Sequence, residues 1–209
     1  MSGVSFILAS ASPRRRELLE AAGIRFRVVP SEGAEGDPHP GEAPGRYARR
    51  TARDKGHEVA ARHPDAWVLS ADTIVTVDGE ILGKPVDRRH AVRMISMLAG
   101  REHRVLTSVC LLHAGRRYRA EATGVTRVRF RPLSGAEIEG YVRTGECDDK
   151  AGGYAVQGAG AALVERVSGS YSNVVGLPMA KTIGMLQAAG LLGVDPEGPG
   201  WYRLSGDAG

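Results

Sequence analysis

The sequence predicts a mixed α/β fold, a twisted sheet with flanking helices, and two observations carry that reading. Apolar runs of strand length alternate along the chain with segments of helical period. Two strand pairs are joined by the short turns Asp78-Gly79 and Ala114-Gly115, so antiparallel hairpins interrupt an order that would otherwise give a purely parallel sheet. A chain of 209 residues, 42% hydrophobic and 25% charged, can bury one good core or a core plus a small lobe. The expectation is a single domain over 1–193 and a flexible tail over 194–209, where Gly, Pro and Asp accumulate.

The apolar run 4–9 has the length of a buried strand. Pro13 then suits the first position of a helix, with Leu18, Leu19 and Ala22 as its apolar stripe and Gly23 as its stop. Residues 25–30 alternate like a strand, and 31–45 is a loop of Gly, Pro and acidic residues. Over 47–62, Ala48, Thr51, Ala52, Val59 and Ala60 mark the buried face of an amphipathic helix, with Arg49, Arg50, Arg53, Asp54 and Lys55 on its polar sides. A strand at 67–77 turns through Asp78-Gly79 into 80–82. Asp87 caps the next helix, which points Val92, Ile95, Met97 and Leu98 inward and stops at Gly100.

Residues 104–112 and 118–130 pair as strands, the second setting Val125, Val128 and Phe130 against Thr126, Arg127 and Arg129. Ser134 and Glu137 form a capping box for a helix through Ile138, Tyr141 and Val142, ending at Gly145. A polar, glycine-rich loop over 146–160 leads to a short strand at 162–167. Pro178 opens a last helix through Met179, Ile183, Met185 and Leu186 to Gly190. The chain has no internal repeat.

Composition excludes several classes. No run reaches the roughly 20 apolar residues of a membrane span, and the first ten residues lack the pattern of a signal peptide, so the expectation is a soluble cytoplasmic protein. Cys110 and Cys147 have neither metal-ligand spacing nor a disulfide framework. A net charge of +4 and 5% aromatics, with the arginines dispersed, argue against a stable nucleic-acid partner. Only Lys55, Lys84, Lys150 and Lys181 among the 28 basic side chains are lysines, so each lysine is informative, being a compact charge suited to a phosphate oxygen.

Three places can carry chemistry. At Leu8-Ala9-Ser10-Ala11-Ser12-Pro13-Arg14-Arg15-Arg16 a strand ends in a turn and a helix whose free amides and dipole face outward. Arginines in that first turn oppose the dipole, so they mark either an anion site or a solvated basic helix start. Asp72 lies amid Val68, Leu69, Ile74 and Val75, where a carboxylate needs a partner, a hydrogen bond or a cation. Glu35 in the long loop, and Glu146, Asp148 and Asp149 beside Lys150, add oxygen donors that suit Mg²⁺ or Mn²⁺ with a nucleotide's phosphates. Lys150 either binds phosphate or pairs with Asp149. Gly83-Lys84-Pro85 lacks the surroundings of a Walker A loop, and 158–163 is a poor dinucleotide fingerprint. The six histidines show no ligand pairing, and no nucleophile elbow or zincin motif occurs.

Taken together and in order, Leu8 to Arg15, Glu35, Lys55, Ala71-Asp72-Thr73-Ile74-Val75, Leu82-Gly83-Lys84-Pro85, Asp149 to Gly158 and Gly169 to Pro178 resemble the Maf family of nucleoside triphosphate pyrophosphatases over residues 5–190. The resemblance implies an inosine triphosphatase-like fold with a central cleft, a homodimer, and hydrolysis of a nucleoside triphosphate to monophosphate and pyrophosphate with a divalent metal. It makes Asp72, Glu35 and Lys84 catalytic, with Asp72 and Glu35 as metal ligands. Ser10, Arg14, Arg15, Lys55, Thr73 and Gln157 become substrate-binding, and Arg14, Thr73 and Gln157 match the positions that set base choice in the dTTP/UTP branch. The sister branch, acting on 7-methyl-GTP, tends to carry Gln after the aspartate and Glu in place of Gln157. Cys147-Asp148 departs from the Pro-Leu often found before Asp149. Tyr154 either stacks on the base or packs in the core. The rival readings are a non-enzymatic nucleotide-binding regulator of septum formation, and a phosphatase releasing orthophosphate.

Overall fold

In the computed structural model, which describes residues 4–33, 36–195 and 201–205, the first apolar run forms β1 (Phe6–Leu8), and Pro13 opens α1 (Pro13–Ala21). There follow β2 (Arg27–Val28), α2 (Pro44–Arg62), β3 (Trp67–Val77), β4 (Glu80–Leu82) and α3 (Arg88–Leu98). β5 (Glu102–His113), β6 (Tyr118–Phe130), α4 (Gly135–Arg143), β7 (Val164–Ser168), α5 (Tyr171–Val175) and α6 (Met179–Ala188) come next, then β8 (Leu192–Val194) and β9 (Tyr202–Leu204). Among the described residues a seven-stranded mixed sheet runs β2-β1-β3-β5-β6-β7, with β4 paired to β3. β1 is parallel to β2 and β3, whereas β4 is antiparallel to β3 and β7 to β6. The mixed α/β class is therefore the observed one. No helix of the described residues is long and apolar enough to cross a membrane.

The chain divides into two compact units, and β3, β5 and β6 each contribute to both. The first unit holds residues 1–72, 108–123 and 176–209. Strand alternation sorts its core: Phe6 and Leu8 with Trp67, Leu69 and Ala71 on one face, Ile7 and Ala9 with Val68 on the other. The second face is covered by α2, whose Val59 and Ala60 join it. Helix and strand approach closely at Gly56, where a Cβ would sit 2.6 Å from Ser70 Oγ and 2.7 Å from Leu112 Cδ1. The second unit holds residues 73–107 and 124–175. Its core joins Val75, Leu82, Ile95, Leu98, Phe130 and Tyr141, with α3 packed on α4.

Local signals predicted the boundaries well. Asp78 and Gly79 have φ of 51° and 84°, the left-handed pair that a two-residue hairpin needs. Asp87 accepts from the His90 amide, and Ser134 and Glu137 form the reciprocal capping box. Four expectations change. α2 begins at Pro44 rather than near Tyr47, because proline is accommodated at the first helical position. In β6 it is Thr126 that shares the buried face with Val128 and Phe130, and Val125 is exposed: a period of two cannot put 125 and 128 on one face. In α3 the buried stripe gains Ala91 and Met94 beside Ile95 and Leu98, while Val92 and Met97 are half-buried and pack against the same core. The 169–178 segment, for which no element was expected, contains the short helix α5, too brief to show a period. Of the tail expected to be flexible, Tyr202–Leu204 pairs antiparallel with Leu192–Val194, and Leu204 is buried in the first unit's core.

Candidate active site

In the first unit, the turn after β1 is organised by a serine. Ser10 Oγ accepts from the Ser12 amide at 3.3 Å and from an Arg15 guanidinium nitrogen at 3.0 Å. Arg15 also donates through Nε to the Gly176 carbonyl at 2.8 Å. The three arginines thus differ: Arg15 is drawn back into the turn, Arg16 pairs with exposed Glu20, and Arg14 makes no hydrogen bond or ion pair with the described residues.

The same alternation that sorts the core places Asp72. Val68, Ser70 and Asp72 lie on the face of β3 covered by α2, and Ser70 Oγ donates to the Ala52 carbonyl of that helix at 2.6 Å. Lys55 Nζ then meets Asp72 Oδ1 at 2.8 Å, with side chains 15% and 7% exposed. This corrects the assignment of Lys55 to the polar side of its helix: positions 48, 51, 52, 55, 56, 59 and 60 form one stripe at helical spacing, and Lys55 is its charged member. The buried carboxylate has the partner it requires. Glu35 lies outside the described residues. The segments beside it are held by α2: Glu58 accepts from the Ser31 hydroxyl and from the Glu32 and Gly33 amides at 3.0 and 2.9 Å. Arg50 binds Glu42 and the Asp37 carbonyl. Those donors bring the Glu58 carboxyl down to about 2.

In the second unit, Thr73 is half-buried and its Oγ1 lies 3.0 Å from Thr107 Oγ1. Thr73 and Asp72 are consecutive in β3, so their side chains leave opposite faces of the strand. Lys84 is exposed on the segment after β4, whose backbone is tied down by the Gly152 amide donating to the Gly83 carbonyl at 2.9 Å. Gln157 is exposed, and the loop around it is fastened on both sides. Tyr141 Oη accepts from the Ala155 amide at 3.1 Å, and Glu146 accepts from the Ala159 and Gly160 amides at 3.1 and 2.8 Å.

Glu146 thus clamps the loop, and Asp148 accepts from the Cys147 thiol. Lys150 pairs with Asp149. Tyr154 is a core residue: it packs edge-on against Phe130 and His103, its hydroxyl lies 2.7 Å from His103 Nε2, and burial pushes its phenol up. Both cysteines are free and buried, Cys110 with its thiol pushed up to about 12. Sequence reasoning missed Glu58, Thr107 and Asn173; Glu58 alone had a signal, its place three residues after Lys55 on the face turned to the loop.

Among the described residues no three of His, Cys, Asp and Glu converge to hold a metal. Among the described residues Asp72 supplies carboxylate oxygens, the hard donor type that Mg²⁺ and Mn²⁺ take.

A family model described as "Maf-like protein" matches residues 5–189, running through both units. The dTTP/UTP pyrophosphatase of Myxococcus xanthus is 54% identical to this chain, covering 88% of it and 92% of the relative. The dTTP/UTP pyrophosphatase of Syntrophomonas wolfei is 48% identical, covering 88% and 96%. Among solved structures, the nucleoside-triphosphatase / dITP/XTP pyrophosphatase of Mycobacterium abscessus is 11% identical with a TM-score of 0.43, covering 90% of this chain and 97% of that one. With a family model matched over nearly all of its length and relatives of this similarity, the chain belongs to the Maf-like protein family.

Proposed function

We propose that this chain is a nucleoside triphosphate pyrophosphatase that hydrolyses dTTP and UTP to the monophosphate and pyrophosphate, using Mg²⁺ or Mn²⁺. The observation that carries the reading is that relatives 54% and 48% identical over 88% of the chain bear the name dTTP/UTP pyrophosphatase. The buried Asp72–Lys55 pair supports it, since it supplies a held carboxylate beside a phosphate-sized cation.

In this reading a water oxygen attacks the α-phosphorus, and the bond from that phosphorus to the bridging oxygen of the β-phosphate breaks. Pyrophosphate leaves with the electron pair, and the water's proton passes to Asp72. Such a reaction draws most of its rate from positioning and charge stabilisation. Asp72 orients the water and receives its proton. Arg14, Arg15, Lys55 and Lys84 hold the triphosphate, and Ser10 with the amides of the α1 start holds the terminal phosphate. Asp72 and Glu35 are the carboxylates that hold the cation, which when bound neutralises charge on the phosphate oxygens. Thr73 and Gln157 read the base edge. The family resemblance extends the reading to a homodimer.

The test is product analysis with dTTP, UTP, CTP, 7-methyl-GTP and ITP in Mg²⁺. Pyrophosphate and monophosphate are expected from dTTP and UTP. Orthophosphate as the first product makes the chain a phosphatase instead, and no turnover of any nucleotide favours a non-enzymatic nucleotide-binding regulator. Gln157→Glu exchanges an amide that donates for a carboxylate that only accepts, so base preference is expected to shift. An unchanged substrate profile removes Gln157 from base reading.

A further inference from the structure

Gln157 is exposed in the glycine-rich loop after α4, within the second unit, so the reach of its side chain is set by how the backbone on either side is held. On the near side the Ala155 amide donates to Tyr141 Oη at 3.1 Å, and both residues are buried. On the far side the two oxygens of Glu146 take one amide each. Oε1 accepts from Ala159 at 3.1 Å and Oε2 from Gly160 at 2.8 Å, the amides that open the short helical turn Gly158–Leu163. The ends of the loop also meet: a Cβ on Gly160 would lie 2.1 Å from the Ala155 carbonyl oxygen and 3.1 Å from Tyr141 Oη. Gly158 has a φ of 62°, and a Cβ there would sit 2.0 Å from Glu146 Oε1. Glycine at both places lets the loop close around a single carboxylate.

That carboxylate is itself fixed to a helix end. The Glu146 amide donates to Thr144 Oγ1 at 3.2 Å, and the Thr144 hydroxyl donates to the Tyr141 carbonyl in the last turn of α4 at 2.7 Å. Tyr141 lies on the buried face of that helix with Ile138 and Val142, in the core that also holds Phe130 and Leu163. Its phenol is pushed up, chiefly by burial, and the neighbouring Glu146 carboxylate adds to the shift. The C-terminal end of α4 therefore carries both groups that hold the Gln157 loop.

We infer that Glu146 is a positioning residue for base choice: with Tyr141 it fixes how far Gln157 extends toward the base, so the site accepts pyrimidines and rejects purines that offer the same edge. Hypoxanthine presents C6=O and N1–H, the same acceptor and donor pattern as the C4=O and N3–H of uracil, but one fused ring farther from the sugar. A side chain that only matched hydrogen bonds would treat the two edges alike. One held at a fixed depth does not, because the purine either clashes with it or leaves its polar edge unpaired. A misplacement of about 1 Å in a site of this kind costs on the order of a hundredfold. The inference rests on the reading of Gln157 as a residue that meets the base.

The experiment measures kcat/KM by pyrophosphate release from UTP and from ITP in Mg²⁺. The ratio of the two is the readout, because a loss of folded enzyme lowers both values together. The wild-type enzyme is expected to prefer UTP by at least about a hundredfold, and equal values overturn the inference. Glu146→Ala is expected to lower the ratio at least about tenfold, with KM for UTP rising more than kcat falls. Tyr141→Phe fills the same core space without the hydroxyl that accepts from Ala155, and it is expected to lower the ratio in the same direction, which decides the matter if Glu146→Ala does not fold. In a Gln157→Ala background, where the ratio is already lost, Glu146→Ala is expected to change it no further, as for residues that act as one. A further fall there shows that Glu146 acts apart from Gln157 and overturns the inference. A folded Glu146→Ala enzyme with the wild-type ratio, alongside a Gln157→Ala enzyme that has lost it, overturns the role of Glu146 while leaving Gln157 as base reader. A raised Mg²⁺ requirement with the ratio unmoved assigns the carboxylate to the cation instead. An unaltered ratio in Gln157→Ala overturns both roles, and absence of pyrophosphate from every nucleotide overturns the proposed activity itself.

Discussion

Asp72→Asn is expected to lower turnover of the preferred nucleotide at least about a hundredfold, the scale for losing a positioned acid or base, while the fold persists. Asparagine is isosteric with aspartate, and its amide oxygen can still accept from Lys55 Nζ, now 2.8 Å from the carboxylate. What disappears is the negative charge and the ability to take a proton from water. Lys55 loses its counter-charge, and removing one partner of a fully buried pair costs about 3–5 kcal/mol. Here Lys55 keeps 15% of its side chain exposed, so the expected loss is smaller than that and appears as a lowered thermal midpoint. Adding Lys55→Met to the variant removes the stranded charge, and it is expected to recover part of the midpoint without recovering turnover. Wild-type turnover in a folded Asp72→Asn enzyme would remove Asp72 from the mechanism.

The second large effect concerns acid stability. His103 is 2% exposed, its Nε2 is 2.7 Å from the Tyr154 hydroxyl, and its Nδ1 is buried without a hydrogen-bond partner. Burial disfavours the imidazolium and brings the folded-state pKa down to about 4 from 6.5. Above 6.5 the residue is neutral in both states and has no pH dependence. Between 6.5 and about 4 the unfolded chain binds a proton that the folded chain refuses, so stability falls as the pH falls. Below about 4 both states are protonated and the loss levels off. A depression of that size corresponds to about 3 kcal/mol between pH 7 and pH 4. His103→Gln can keep a hydrogen bond to Tyr154 and does not titrate. Urea unfolding at the two pH values is expected to show the wild type losing about 3 kcal/mol more than the variant. Equal losses in the two proteins would show that His103 does not govern the acid limb.

Features written within a few neighbouring residues were legible. The Asp78-Gly79 hairpin, the Asp87 cap and the Ser134–Glu137 capping box each satisfy backbone groups within reach of one side chain, so local sequence suffices. Lys55 was legible in principle, since its place on the buried stripe of α2 follows from helical spacing, but its charge led to a solvent-facing assignment. The period of two likewise contained the burial of Thr126 over Val125. Strand β9 was not legible, because its stability comes from pairing with β8 and burying Leu204 rather than from its own composition.

By itself the sequence determined the mixed α/β class, most element boundaries and an ordered set of motifs that name a family. It also singled out Asp72 as a carboxylate in need of a partner. Only the tertiary structure decided which partner that is. The same is true of Arg15, turned back onto Ser10 and Gly176, and of Glu146, which clamps a loop. It alone set Thr107 between Thr73 and Asn173. The physical reason is range. Caps, turns and periodicity act over a few residues of chain, whereas an ion pair or a shared proton depends on tenths of an ångström between atoms far apart in sequence, and no local pattern encodes that distance.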